Sequence, residues 1–95
     1  MASSREYLDF VLDGLDGVSF RAMMGEYIIY YRGKIVGGIY DNRLLIKATE
    51  AARALMPGAP LETPYPGAKK MLLVEDVDDK EFLARLLDGM TGGSA

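Results

Sequence analysis

At 95 residues, 49% hydrophobic and 26% charged, the chain has the length of one domain and a composition that excludes general disorder. It has no cysteine and no histidine, which removes disulfides, thiolate zinc sites, thiol nucleophiles and the usual proton shuttle near neutral pH. Its net charge of −3 and pI near 4.8 count against a nonspecific nucleic-acid binder, which normally presents a basic field.

Ser3-Ser4-Arg5-Glu6 matches a capping box, a serine with a glutamate three residues later. Tyr7, Leu8, Val11, Leu12 and Leu15 recur at helical steps, so a helix is predicted over about residues 4 to 14. Val18 to Met24 reads as a strand, and Gly25 interrupts it as a bulge or turn. Glu26 to Tyr31 and Lys34 to Tyr40 follow as strands, joined by an Arg32-Gly33 turn. Asp41-Asn42 fits a two-residue hairpin loop before a fourth strand, Arg43 to Lys47. Thr49 caps a short helix over residues 50 to 56, which Pro57-Gly58 stops. All four prolines lie in residues 57 to 68, an edge strand or extended loop. Lys69 to Glu75 reads as a further strand. Asp78-Asp79-Lys80-Glu81 is a second capping box, with Asp78 as N-cap, before a closing helix that ends near Gly89. Residues 91–95 read as a disordered tail. The order is α-β4-α-β(1-2)-α: a two-layer α+β domain over residues 1–95, with an antiparallel sheet of five or six strands.

The second predicted strand is apolar or aromatic at both sets of alternating positions, Tyr27, Ile29 and Tyr31 against Ile28 and Tyr30. Three readings stand open. Tyrosine rings lie inward with wet hydroxyls, another subunit covers the second face, or the strand lines a ligand groove. In the groove reading Arg21, Tyr27, Tyr30 and Tyr40 gather around the ligand. Gly37-Gly38 marks a bulge or a close backbone approach, with an aromatic from the second strand over it. Arg21 and Glu26 are placed to pair across the Gly25 turn.

No nucleophile–base set can be assembled without histidine, and the phosphate-loop order is absent from GKIVGG, so the chain is expected not to be an enzyme. Residues 75–79, EDVDD, offer oxygens but not the spacing of a calcium loop, so neither a metal nor another cofactor is expected. Arg32, Lys34, Arg43, Lys47, Lys69 and Lys70 form a basic stripe if their strands are neighbours, although charges that protect strand edges explain them as well. The start MASSREYL has no hydrophobic signal core and no apolar run approaches ~20 residues, so a soluble cytoplasmic protein without membrane contact is expected.

The stretches EYLDFVLDGL, RAMMGEYIIYYRGKIVGGIYDNRLLIK and PYPGAKKMLLVEDVDD, with the closing helix, resemble the TfoX/Sxy N-terminal domain family over about residues 4 to 88. The most specific parts are the turn at Arg21, Met23 and Gly25, Lys47 after the fourth strand, and the PYPGA segment with Tyr65. The resemblance implies a secretion-chaperone-like α+β fold and a link to bacterial regulators of genetic competence and to stand-alone small proteins. The full-length regulators carry a second, C-terminal domain, whereas this sequence stops at TGGSA. A non-enzymatic regulatory or protein-interaction module is therefore expected, with a protein partner or a second copy in a homodimer. Binding of a small ligand or of nucleic acid are the alternatives. The expected partner-binding residues are Arg21, Met23, Gly25, Tyr27, Tyr30, Tyr40, Lys47 and Tyr65.

Overall fold

The computed structural model describes residues 3–92. Six antiparallel strands form one sheet in the order β1-β2-β3-β4-β6-β5, and three helices complete an α+β fold. The chain runs α1 (Arg5–Leu12), β1 (Val18–Met23), β2 (Glu26–Tyr31), β3 (Lys34–Ile39), β4 (Leu44–Ile46), α2 (Glu50–Leu55), β5 (Leu61–Glu62), β6 (Met71–Val74) and α3 (Lys80–Met90).

Three two-residue turns fold β1 to β4 into a meander. Each has two positive φ angles: Met24 and Gly25 at 51° and 84°, Arg32 and Gly33 at 51° and 84°, Asp41 and Asn42 at 53° and 54°. This turn type matches the right-handed strand twist, so it closes tight hairpins. Gly25 is therefore a turn residue and not a bulge.

Register assigns the faces. Val18, Phe20 and Ala22 stand opposite Tyr31, Ile29 and Tyr27, and Tyr27 stands opposite Ile39. Directly opposed residues share a face. This face meets the helices and carries the core: Leu8 and Val11 of α1, Ala52 of α2, and Leu83, Leu86 and Leu87 of α3 pack on Ile29, Tyr31, Ile39, Leu44, Ile46, Leu72 and Val74. Inside that core lies a void of only about 10 Å³ with a wholly apolar lining, so it offers a water no polar partner.

Both helix caps fall one residue later than the capping boxes predict. Ser4, not Ser3, accepts from the Tyr7 N–H at 3.1 Å. Ser3 is buried, and its hydroxyl and backbone N–H donate to Glu26. A long-range charge-assisted bond has displaced the local cap. Asp79, not Asp78, accepts from Phe82 N–H at 3.1 Å, because a turn closed by Asp79 N–H on the Asp76 carbonyl precedes the helix. The α3 helix ends near Gly89, as expected, one residue beyond it at Met90. A Cβ on Gly89 would stand 3.4 Å from the Leu55 side chain, so Gly89 lets α2 approach α3. Thr91, within the predicted tail, donates its hydroxyl to the Leu87 carbonyl at 3.1 Å. The other tail residues are Gly92, which is exposed, and 93–95, which lie outside the described residues. Lys80 ties α3 to α1 by donating to the Phe10 and Val11 carbonyls at 2.7 and 2.8 Å, where a helix C-terminus has unpaired acceptors.

Gly37 and Gly38 control the middle of the sheet. The β2–β3 register shifts between Ile29 and Tyr30, so Val36 is an extra residue, a bulge. A Cβ on Gly37 would lie 2.2 Å from the Leu45 carbonyl oxygen and 2.7 Å from Ile46 Cα. A Cβ on Gly38 would meet the Tyr27 carbonyl at 2.5 Å and the Tyr40 ring at 2.7 Å. The aromatic over the glycines is thus Tyr40, from the end of the same strand, and not a residue of β2.

Gly37→Ala forces backbone, not a flexible side-chain tip, to move. It is expected to cost about 3 kcal/mol, as overpacking does, or to prevent folding. Gly58→Ala, with open space around it and no positive φ, should change stability by less than about 1 kcal/mol. Urea denaturation of the two variants checks the contrast.

Candidate binding groove on the open sheet face

None of the described helices lies over the second sheet face. Its positions include Ser19, Arg21 and Met23 of β1, Ile28 and Tyr30 of β2, Gly38 of β3, Leu45 of β4 and Leu73 of β6. Leu45 is nonetheless 0% exposed and stands outside the main core cluster. The proline-rich segment between β5 and β6 lies on this side and brings its own aromatic ring.

That segment is built by a local rule. The Tyr65 carbonyl accepts from Ala68 N–H at 3.1 Å, Pro66 occupies the second position and Gly67 the third with φ +86°. Proline followed by a positive-φ glycine is the signature of a type II turn. The turn sets the Tyr65 ring against Tyr40, centroids 6.5 Å apart and planes at 55°, and sends Lys69 and Lys70 back along the rim. Arg43 fixes the base: it donates to the Tyr40 carbonyl at 3.1 Å and pairs with Glu62 of β5.

Between this segment, the ends of β3 and β4 and the start of α2 lies an open groove of about 710 Å³. Ile35, Gly37 and Met71 contribute apolar surface, Tyr40 and Tyr65 stand to one side, and Lys47, Arg53, Lys69 and Lys70 contribute the charge. A second hollow of about 400 Å³ shares Ile35, Lys47 and Thr49 with it and adds Lys34. Five of the chain's eleven cationic side chains therefore line these two adjoining hollows. No aspartate or glutamate is among the described residues that line them. Arg53 is positioned by its Nε–H, which donates to the Ala48 carbonyl at 3.3 Å, leaving its terminal nitrogens unassigned.

The predicted partner-binding residues separate into groups. Tyr40, Lys47 and Tyr65 meet in the groove. Arg21 and Met23 are exposed on β1, and Gly25 closes the turn beyond them. Tyr30 is half-buried on the open face opposite Ser19 and Ile35. Tyr27 lies on the opposite, helix-facing side, its ring edge-on to Phe20 at 5.8 Å. A pocket formed by Arg21, Tyr27, Tyr30 and Tyr40 together is therefore not what the fold makes, because period-two alternation sends Tyr27 and Tyr30 to different faces. The expected Arg21–Glu26 pair is absent as well: Glu26 stands opposite Met23 and accepts from Ser3 and from Asp41 N–H. Of the predicted basic stripe, Lys34, Lys47, Lys69 and Lys70 gather in the two hollows, whereas Arg32 pairs with Asp88 at 3.6 Å and Arg43 with Glu62. Arg53 is the groove residue that the strand pattern missed, since it comes from α2. Among the described residues no three carboxylates gather in a metal-holding group, and Asp79 is spent as a cap. No described helix is long and apolar enough to cross a membrane.

Burial, reinforced by Tyr65 and Glu26, pushes the Tyr40 phenol above its ordinary value of 10.0. A folded value above the unfolded one leaves stability undiminished below the unfolded value and lowers it as pH rises through the folded value. Urea denaturation between roughly pH 9 and 11 should show stability falling, and Tyr40→Phe should fall less steeply than the parent chain.

Comparison with known proteins gives a relative and a family. The chain is 39% identical over 80 residues to an "Uncharacterized 12.7 kDa protein in trpE 5'region" of Spirochaeta aurantia, a match that covers 81% of this chain and 70% of that protein. No solved structure gives a significant match. The model of the TfoX N-terminal domain matches residues 11–88, from the end of α1 through most of α3, and the chain belongs to that family.

Proposed function

We propose that this chain is a non-enzymatic regulatory module that works in the cytoplasm by docking a partner on the open sheet face, in the cationic groove. The observation that carries the reading is charge segregation. A chain of net −3 places Lys34, Lys47, Arg53, Lys69 and Lys70 around two adjoining hollows with no carboxylate in their described lining. Like charges gathered at close quarters repel, so an arrangement of this kind is stabilised by an anionic occupant. The regulatory part of the reading is supported by membership of the TfoX N-terminal domain family and by what that resemblance implies. Amide shift mapping during titration with short polyanions, polyglutamate and oligo-thymidylate, tests the surface. Shifts should concentrate at Ile35, Lys47, Arg53 and residues 65–71. Shifts confined to the Met23–Gly25 turn, or no shifts with either polyanion, would sink the proposal.

Self-association is a second reading, favoured by one asymmetry of the sheet. The β5 edge is two residues long and follows prolines, the usual protection against edge pairing. The β1 edge has six residues, no proline, one charge (Arg21), and Phe20 and Met23 exposed. Two copies paired antiparallel through β1 keep both helical layers on one side when Phe20 faces its own counterpart and Arg21 faces Ser19. Sliding to the next such register sets Arg21 against Arg21, which is repulsive. Sedimentation equilibrium should then show a concentration-dependent dimer that Phe20→Lys abolishes; a monomer at all concentrations discards this reading.

A further inference from the structure

We infer that the occupant of the cationic groove is an acidic, extended segment of a protein that carries an apolar anchor residue. This rests on the reading of the groove as the working surface and goes one step further, to the chemistry of what enters it. Four features of the site choose between anionic partners.

The first is the apolar surface between the charges. Ile35 is 45% exposed, and the half-buried Met71 continues it. Phosphate or a sugar–phosphate backbone leaves such a surface wet. A leucine or phenylalanine side chain removes it from water, at about 25 cal/mol for each Å² covered. The second is the arrangement of the aromatics. Single-stranded nucleic acid is held on a series of separate rings on which successive bases stack. Here Tyr40 lies on Gly38, and the Tyr65 ring, 58% exposed, is tilted against Tyr40. The pair offers one platform, with its second ring already used as backing.

The third is the kind of cation. Four of the five are lysines, flexible point charges that suit scattered carboxylates, and Arg53 adds one fork for a bidentate contact. The fourth is the rest of the chain. With the five cations set aside, the remaining surface is more acidic than the net −3 of the whole. A long polyanion leaving the groove meets that field, whereas a short acidic segment ends before it. The two hollows, about 710 and 400 Å³, have room for a few side chains of such a segment.

The test is fluorescence anisotropy with labelled probes of roughly ten units, the scale of short recognition motifs. One probe is a Glu/Asp-rich peptide with a central Phe, the second is the same length of polyglutamate, and the third is oligo-thymidylate. The Phe-containing peptide should bind more tightly than either of the others. Lys47→Glu combined with Lys69→Glu should weaken it by about tenfold or more, while Arg85→Glu on α3, outside the groove, leaves it unchanged. The unchanged circular dichroism of each variant guards against loss of fold, and amide shift mapping on the parent chain gives the same answer without any variant. Tighter binding of oligo-thymidylate through the same residues overturns this inference and leaves the groove as the working surface. Equal binding of polyglutamate overturns the apolar anchor. No groove-dependent binding of any probe overturns this inference and the proposed function together.

Discussion

The close approach of β3 to β4 at Gly37 and to β2 at Gly38 is the constraint on which the rest of the domain depends. Adjacent strands already lie within about 5 Å, and here the Cβ positions of the two glycines are taken by backbone and by a ring. On the helix side Gly37 opposes Ile46 beside the bulged Val36, so the core closes over the middle of the sheet. On the other side the absence of a side chain at Gly38 lets Tyr40 lie flat on the strand. The same pair of residues therefore seals one face and shapes the other. The cost is the weak intrinsic preference of glycine for a strand, on the order of a kcal/mol at each position.

Once Tyr40 is down, the remaining parts of the concavity fall into place by local rules. Pro66-Gly67 makes the turn that carries Tyr65 onto Tyr40, and the two lysines that follow leave the turn along the rim. Arg43 ties the end of β3 to β5 through Glu62, so the proline-rich edge is joined to the meander. The cations of the groove are left without carboxylates, while Arg32, Arg43 and Arg5 are paired with Asp88, Glu62 and Asp9. The exposed Arg5–Asp9 pair contributes little to stability, but the three pairs take three positive charges out of competition for an anionic partner.

The N-terminus shows the same contest between local and distant bonds. Ser3, Glu26, Asp41 and Asn42 form a polar knot in which Ser3 donates to Glu26, Asn42 N–H donates to Ser3 and Ser4 N–H donates to Asn42. It pins the start of α1 to the turn ends of the meander. Glu26 is occupied by it, which is why Arg21 has no partner across the Met24-Gly25 turn. Tyr31 does a comparable task at the other end, donating to Asp88 of α3 at 3.4 Å.

Much of this was legible in residue order. Helical spacing gave α1 and α3, turn residues gave the hairpins, and Thr49 and the prolines bounded α2 and the β5 edge, because those signals act within a few residues of backbone. The PYPGA segment announced a turn for the same reason. Other features had no local signature. The caps moved to Ser4 and Asp79 because a distant bond claimed Ser3 and a turn closed by Asp79 N–H on Asp76 precedes α3. The face on which each tyrosine of β2 works was set by strand order: Tyr27 packs against the helices and Tyr30 turns away. The groove itself joins β3, β4, α2 and the segment before β6, with Arg53 arriving from a helix that strand alternation says nothing about. The amino-acid sequence by itself determined which segments are helices, strands and turns; the tertiary structure alone decided which charges stand together, since that depends on strands brought side by side over distances no local rule can measure.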